Sequence, residues 1–148
     1  MLKDFEEEMG DLAETALSTA EKKTLRGAAR DRLAKEKKSV AEAFGDQPYE
    51  VHHRVGLEYA HRFPDMDIND VDNLVALDPA VHKRVSAAWS YFRKTGKDNT
   101  AEAVKKVSKI VDDEFGGWFD DVAEEGIEEQ LEAAFQESVS RIDKLVRT

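Results

Sequence analysis

The chain has 148 residues, a formal net charge of −10, 41% hydrophobic and 36% charged residues, and no cysteine. That length suits one domain with a proper core, and the composition is that of a soluble chain built from helices with broad solvated faces. Without cysteine, disulfides and thiolate metal sites are excluded, so histidine, carboxylates and amide oxygens are the only ligands on offer. No apolar run is long enough for a bilayer, and the acidic start MLKDFEEEMGDLAE is unlike a secretory signal.

In chain order, Leu2, Phe5, Met9, Leu12, Ala13, Ala16, Leu17 and Ala20 recur at spacings of three and four, the stripe of an amphipathic helix. A second helical pattern runs through Leu25, Ala28, Ala29, Leu33, Val40 and Phe44 and stops at Gly45. Within it, residues 22–38 form the one clearly basic segment, carrying Lys22, Lys23, Arg26, Arg30, Arg32, Lys35, Lys37 and Lys38. A solvated helix face is the plain reading of that run, and a phosphate-contacting face the sharper one.

Residues 45–48 break the helix, and 49–55 read as a short strand with β-branched and aromatic residues at alternate positions. A helical turn is expected over 57–63 and a loop over 64–72, where PDMDINDVD is rich in turn formers. Residues 73–77 read as a second strand. Asp78-Pro79 then starts a helix, the aspartate capping free N–H groups and the proline taking the first helical position. This helix carries His82 in its first turn and continues through Val81, Val85, Trp89 and Phe92 to near Gly96. At Trp89, Tyr91 and Phe92, core packing is favoured over base stacking.

Asn99 with Glu102 suggests a capping box for the next helix, whose stripe is Val104, Val107, Val111 and Phe115 and which ends at Gly116-Gly117. A last helix is expected from about Trp118 or Asp120 to Val146, with Gly126 as a kink. Residues 110–140 hold no lysine or arginine and eleven acids. The fold class is therefore mostly α: N-terminal helices over 1–46, a small ββα segment over 47–96, and C-terminal helices over 97–148, in a single domain.

All four histidines, His52, His53, His61 and His82, fall within residues 49–94. Imidazole titrates near neutrality and ligates metals as a neutral base, so their clustering points to a shared metal or proton-transfer site. The blocks VHHRVGLEYAHRFP and NLVALDPAVH supply two histidines at the end of a strand, an asparagine opening a second strand, and a histidine in the first turn of a helix. In that order they resemble the HNH nucleases, the ββα-metal or His-Me finger superfamily, and most closely the HNH-type toxin domains of bacterial polymorphic toxins. The likeness covers about a third of the chain and leaves the helical flanks without a pattern.

The resemblance implies a metal-dependent endonuclease acting on nucleic acid, DNA favoured over RNA. By it, His53 is the general base, Asn73 holds its imidazole, Arg54 touches the scissile phosphate, and His52 and His82 bind one divalent ion, Mg²⁺, Mn²⁺, Zn²⁺ or Ni²⁺. A cognate immunity protein is an implied partner, and the protein is expected either in the cytoplasm or delivered into a target cell as part of a larger exported toxin. Two departures stand out. Ser86 occupies the position where several relatives carry a further histidine, leaving His61 or the loop acids Asp65, Asp67, Asp70 and Asp72 as third-ligand candidates. Gly56 stands where the closest relatives are expected to have proline, which should loosen the turn.

A competing reading is a non-catalytic acidic helical binding module, immunity-like or a nucleic-acid mimic, in which the HNH-like segment is a remnant. A third combines the two, with the acidic last helix covering basic residues 22–38 as an internal brake.

Overall fold

The computed structural model describes residues 16–147. Most of the stripe expected over residues 2–20 lies outside that range. Helix α1 spans Thr19–Glu36 and opens on a capping box, in which Ser18 Oγ accepts from Glu21 N at 3.1 Å while Ser18 N donates to Glu21 Oε1 at 2.8 Å. The single long pattern expected up to Gly45 is in fact broken at Lys37 (φ −117°, ψ 50°), where α2, Lys38–Phe44, begins. The break frees the Lys37 ammonium to leave the helix face. It reaches Leu74 O at 2.7 Å and Asp120 Oδ2 at 2.9 Å.

Strand β1, Glu50–His53, pairs antiparallel with β2, Leu74–Leu77, in the register Glu50↔Leu77, Val51↔Ala76, His52↔Val75 and His53↔Leu74. Between them lie two 3₁₀ turns, Leu57–Arg62 and Val71–Asn73. Helix α3, Pro79–Lys94, starts as expected, with the Asp78 carboxylate accepting from Ala80 N at 3.0 Å and Pro79 at the first position. The mostly helical class with a small central two-stranded element is thus what the chain adopts.

Helix α4, Ala101–Phe115, is capped by Thr100, not Asn99: its hydroxyl accepts from Ala103 N at 3.1 Å. Helix α5 is shorter than expected. It spans Glu128–Arg147, and the stretch before it holds a 3₁₀ turn at Gly116–Trp118 and irregular backbone, with Gly126 in the left-handed region (φ 81°) ahead of the helix instead of kinking it. Four acids between Asp120 and Glu125 with few apolar residues give that stretch no face to bury as a helix.

Helices α3, α4 and α5 pack on one another around Val81, Val85, Trp89, Phe92, Val104, Val107, Phe115, Leu131 and Ile142, joined by Val75 and Leu77 from β2. A smaller core of Ala29, Leu33 and Phe44 closes on Leu74 and Ala76, the alternate residues of the same strand. The acids of α5 do not lie over residues 22–38. Arg84 of α3 takes Glu128 at 3.0 Å and Glu132 at 3.6 Å, while Arg141 pairs with Asp113 and Glu114 of α4, each at 3.0 Å. The brake expectation is therefore corrected: α5 is the third wall of the main core. No helix among the described residues is long and apolar enough to cross a membrane.

Asp120 closes the outer edge of β2. Its backbone N–H donates to Ala76 O at 2.8 Å, its Oδ1 accepts from Ala76 N at 2.9 Å, and it holds φ at 64°, which aspartate tolerates better than most residues. Asp120→Ala is expected to lower stability by about 2–3 kcal/mol, through an unsatisfied Ala76 N–H and an unpaired Lys37. Asp120→Asn, keeping one acceptor and the backbone conformation, should recover about half of that. Urea unfolding of the two variants measures the difference.

Candidate functional site

β1 ends on His52 and His53, and the chain leaves it through a turn held by Asn73. Asn73 O accepts from Arg54 N at 2.8 Å, Asn73 Oδ1 accepts from Val55 N at 2.9 Å, and Asn73 Nδ2 donates to Val55 O at 3.1 Å and Ile68 O at 2.9 Å. Every side-chain bond of Asn73 is thus spent on backbone. The expectation that Asn73 holds the imidazole of His53 is corrected: Asn73 clamps the turn, and the imidazole belongs to Asn69.

His53 is 7% exposed, and its Nε2 lies 2.7 Å from Asn69 Oδ1. The amide orientation of Asn69 follows from its other end, where Nδ2 donates to Leu25 O of α1 at 3.1 Å. An oxygen facing Nε2 can only accept, so His53 carries its proton on Nε2 and keeps the Nδ1 lone pair. Asn69 is itself fixed by Arg32 Nη1 donating to its carbonyl at 2.9 Å and by its N–H donating to Asp67 Oδ1 at 3.0 Å. Helix α1 therefore sets the tautomer of His53.

His52, His53 and His82 line one cavity of about 340 Å³, together with Arg26 of α1, Glu58, and Ser86, Trp89 and Arg93 of α3. Positions 82, 86, 89 and 93 follow helical spacing, so a single face of α3 supplies one wall. Burial drives the His52 pKa down to about 3, helped by the nearby positive forms of His82, His53 and Arg54. His53 is also lowered, chiefly by burial, against the opposing hydrogen bond from Asn69. Both imidazoles are neutral at pH 7, the form that ligates a metal or takes up a proton.

Arg54 is not on this cavity. Its guanidinium is engaged by both carboxylate oxygens of Asp112, with Nη1 donating to Asp72 O at 3.1 Å, and it lines a second cavity beside Lys37, Phe119 and Asp120. The reading of Arg54 as a contact to the scissile phosphate is corrected accordingly: its guanidinium is held by Asp112 and Asp72 on a different cavity from the histidines. The cations of the histidine cavity are Arg26 and Arg93. Arg26 belonged to the basic segment visible in the sequence, and Arg93 was signalled only by its helical spacing from His82.

The third-ligand candidates are not brought to the cavity. Asp67 pairs with Arg32 at 3.0 Å, Asp70 caps a 3₁₀ turn through Asp72 N at 2.9 Å, and neither these nor Asp65, Asp72 or His61 line it. Among the described residues, no group of three or more histidine, aspartate or glutamate side chains could hold a metal ion. A two-histidine site remains, and one observation fits it: His52 Nε2 is buried without a hydrogen-bond partner. A neutral ring nitrogen left bare beside a second histidine suits an ion whose other positions are filled by water or phosphate oxygens.

Comparison with protein-family models, curated proteins and solved structures found no match to this chain.

The depressed His52 pKa has a signed consequence for stability. An unfolded histidine takes up its proton near pH 6.5 and the folded His52 only near 3, so stability falls as the pH drops below 6.5 toward 3. His53 adds to the same trend. In EDTA, His52→Gln is expected to flatten this loss by up to about 1.4 kcal/mol per pH unit, read from urea unfolding between pH 7 and 4.5. Equal slopes in the two proteins would show that His52 is not held neutral.

Proposed function

We propose that this chain is a metal-dependent endonuclease of the HNH type that hydrolyses phosphodiester bonds of nucleic acid, DNA in preference to RNA, and that it serves as a bacterial toxin module. The observation that carries this reading is the convergence of His52 and His53 of β1 with His82 of α3 on one cavity, beside two arginines. His53 with its Nδ1 lone pair is equipped as a base, and His52 with its bare Nε2 as a ligand.

In the reaction so read, His52 and His82 would hold a divalent ion, which when bound would neutralise charge on the phosphodiester as the bond breaks. His53 Nδ1 removes a proton from water, and the resulting hydroxide attacks phosphorus. The bond to the leaving sugar oxygen then breaks, and that oxygen takes a proton from solvent. Asn69 Oδ1 accepts from His53 Nε2 throughout, so it keeps the ring aligned and stabilises the imidazolium as it forms. Arg26 adds positive charge to the wall facing the phosphate.

Purified protein should nick supercoiled plasmid in Mn²⁺. His53→Ala should reduce the rate by about 100-fold or more, the usual scale of a lost general base. Asn69→Ala should reduce it by about 10–100-fold, the cost of losing a group that orients an imidazole, with the fold intact by circular dichroism. A wild-type rate in both variants would remove His53 from the chemistry.

Metal binding separates this proposal from the acidic binding module. Calorimetry with Mn²⁺, Zn²⁺ or Ni²⁺ should show binding to the wild type that His82→Ala weakens by about tenfold or more. Absence of binding in both proteins would favour the non-catalytic module.

A further inference from the structure

The chemistry above leaves Arg93 and Glu58 without a role. Arg93 Nη1 donates to Glu58 Oε2 at 2.5 Å, and both side chains are partly open to solvent, 43% and 36% exposed. Ion pairs this exposed contribute little to stability, so the pair calls for a different explanation. Gly56 supplies the lead. Its backbone (φ −69°, ψ 157°) is one any residue adopts, yet a Cβ built there would collide with Glu58 Oε1 and crowd its Cδ at 3.3 Å. The Glu58 carboxylate thus folds back over the bare Cα to meet Arg93, and a methyl at position 56 would displace it.

A carboxylate and a phosphate present the same pair of oxygens to a guanidinium. Two further groups beside it offer donors to an anion, on a cavity whose lining also holds Glu50. Arg26 lines it with no hydrogen-bond or ion-pair partner among the described residues, and Trp89, 6% exposed, carries a buried indole N–H with no partner. We propose that Arg93 is a binding residue for a backbone phosphate of nucleic acid, and that Glu58, seated over Gly56, occupies Arg93 until that phosphate displaces it. The substrate class rests on the phosphodiesterase reading, but the exchange itself involves no catalysis and can be measured without metal.

The test is binding of a fluorescein-labelled single-stranded DNA octamer in EDTA, by anisotropy across a salt series, with inorganic phosphate as competitor. Glu58→Gln should bind about 3–10-fold tighter, and Arg93→Gln several-fold weaker with a salt slope smaller by about one. Gly56→Ala should shift binding in the same direction as Glu58→Gln, because its methyl pushes the carboxylate off Arg93. Glu125→Gln removes one negative charge at an exposed position remote in sequence and should change nothing, which separates local exchange from net charge. Thermal melts confirm that each variant is folded.

Octamer affinity unchanged in both Glu58→Gln and Arg93→Gln overturns the proposal, as does a wild type that binds no octamer while Glu58→Gln also fails to bind. If the affinities shift as expected but plasmid is never cut, the exchange stands and the nuclease reading falls. If plasmid is cut and Arg93→Gln leaves its KM unchanged, the nuclease reading stands and the exchange falls.

Discussion

A four-residue strand, buried along its whole length, holds this protein together. Leu74 and Ala76 enter the small core with α1 and α2, Val75 and Leu77 enter the main core with α3, α4 and α5, and one edge of β2 is paired with β1. Its other edge would be an open row of donors and acceptors in the interior of the chain. Asp120 and Lys37 satisfy it, from positions far apart in sequence. An isolated hairpin of this length is not stable in water, so the helices on both sides are conditions for the ββα segment to exist.

That dependence changes what the N-terminal helix is for. The Leu25 carbonyl orients Asn69, Asn69 orients His53, and Arg32 steadies the loop carrying Asn69, so α1 reaches the His53 imidazole through a continuous chain of hydrogen bonds. The same helix, one residue on, brings Arg26 to the cavity. An element that reads as flanking support is thus part of the wall of the proposed active site.

Charge is arranged to match. A chain of net charge −10 repels a polyanion as a whole, but its acids on α4 and α5 are partly engaged by Arg84 and Arg141, while the histidine cavity has Arg26 and Arg93 in its lining. Two acids line that cavity as well, Glu50 and Glu58, and Glu58 is held against Arg93.

The local signals were legible in the chain itself. Asp78-Pro79 dictated the start of α3, the apolar spacing of Val81, Val85, Trp89 and Phe92 its buried face, and the strand before Arg54 its period, because capping and periodicity are short-range effects of neighbouring residues. The nearness of His52, His53 and His82 also followed from their order along a ββα pattern. Partner choice did not follow. Asn69 and Asn73 are both asparagines of one loop, and which of them meets His53 depends on Leu25, forty-four residues away; whether Arg54 is open to a ligand depends on Asp112, fifty-eight away. Hydrogen bonds between such distant residues leave no periodicity behind, so only the packed tertiary structure could decide them.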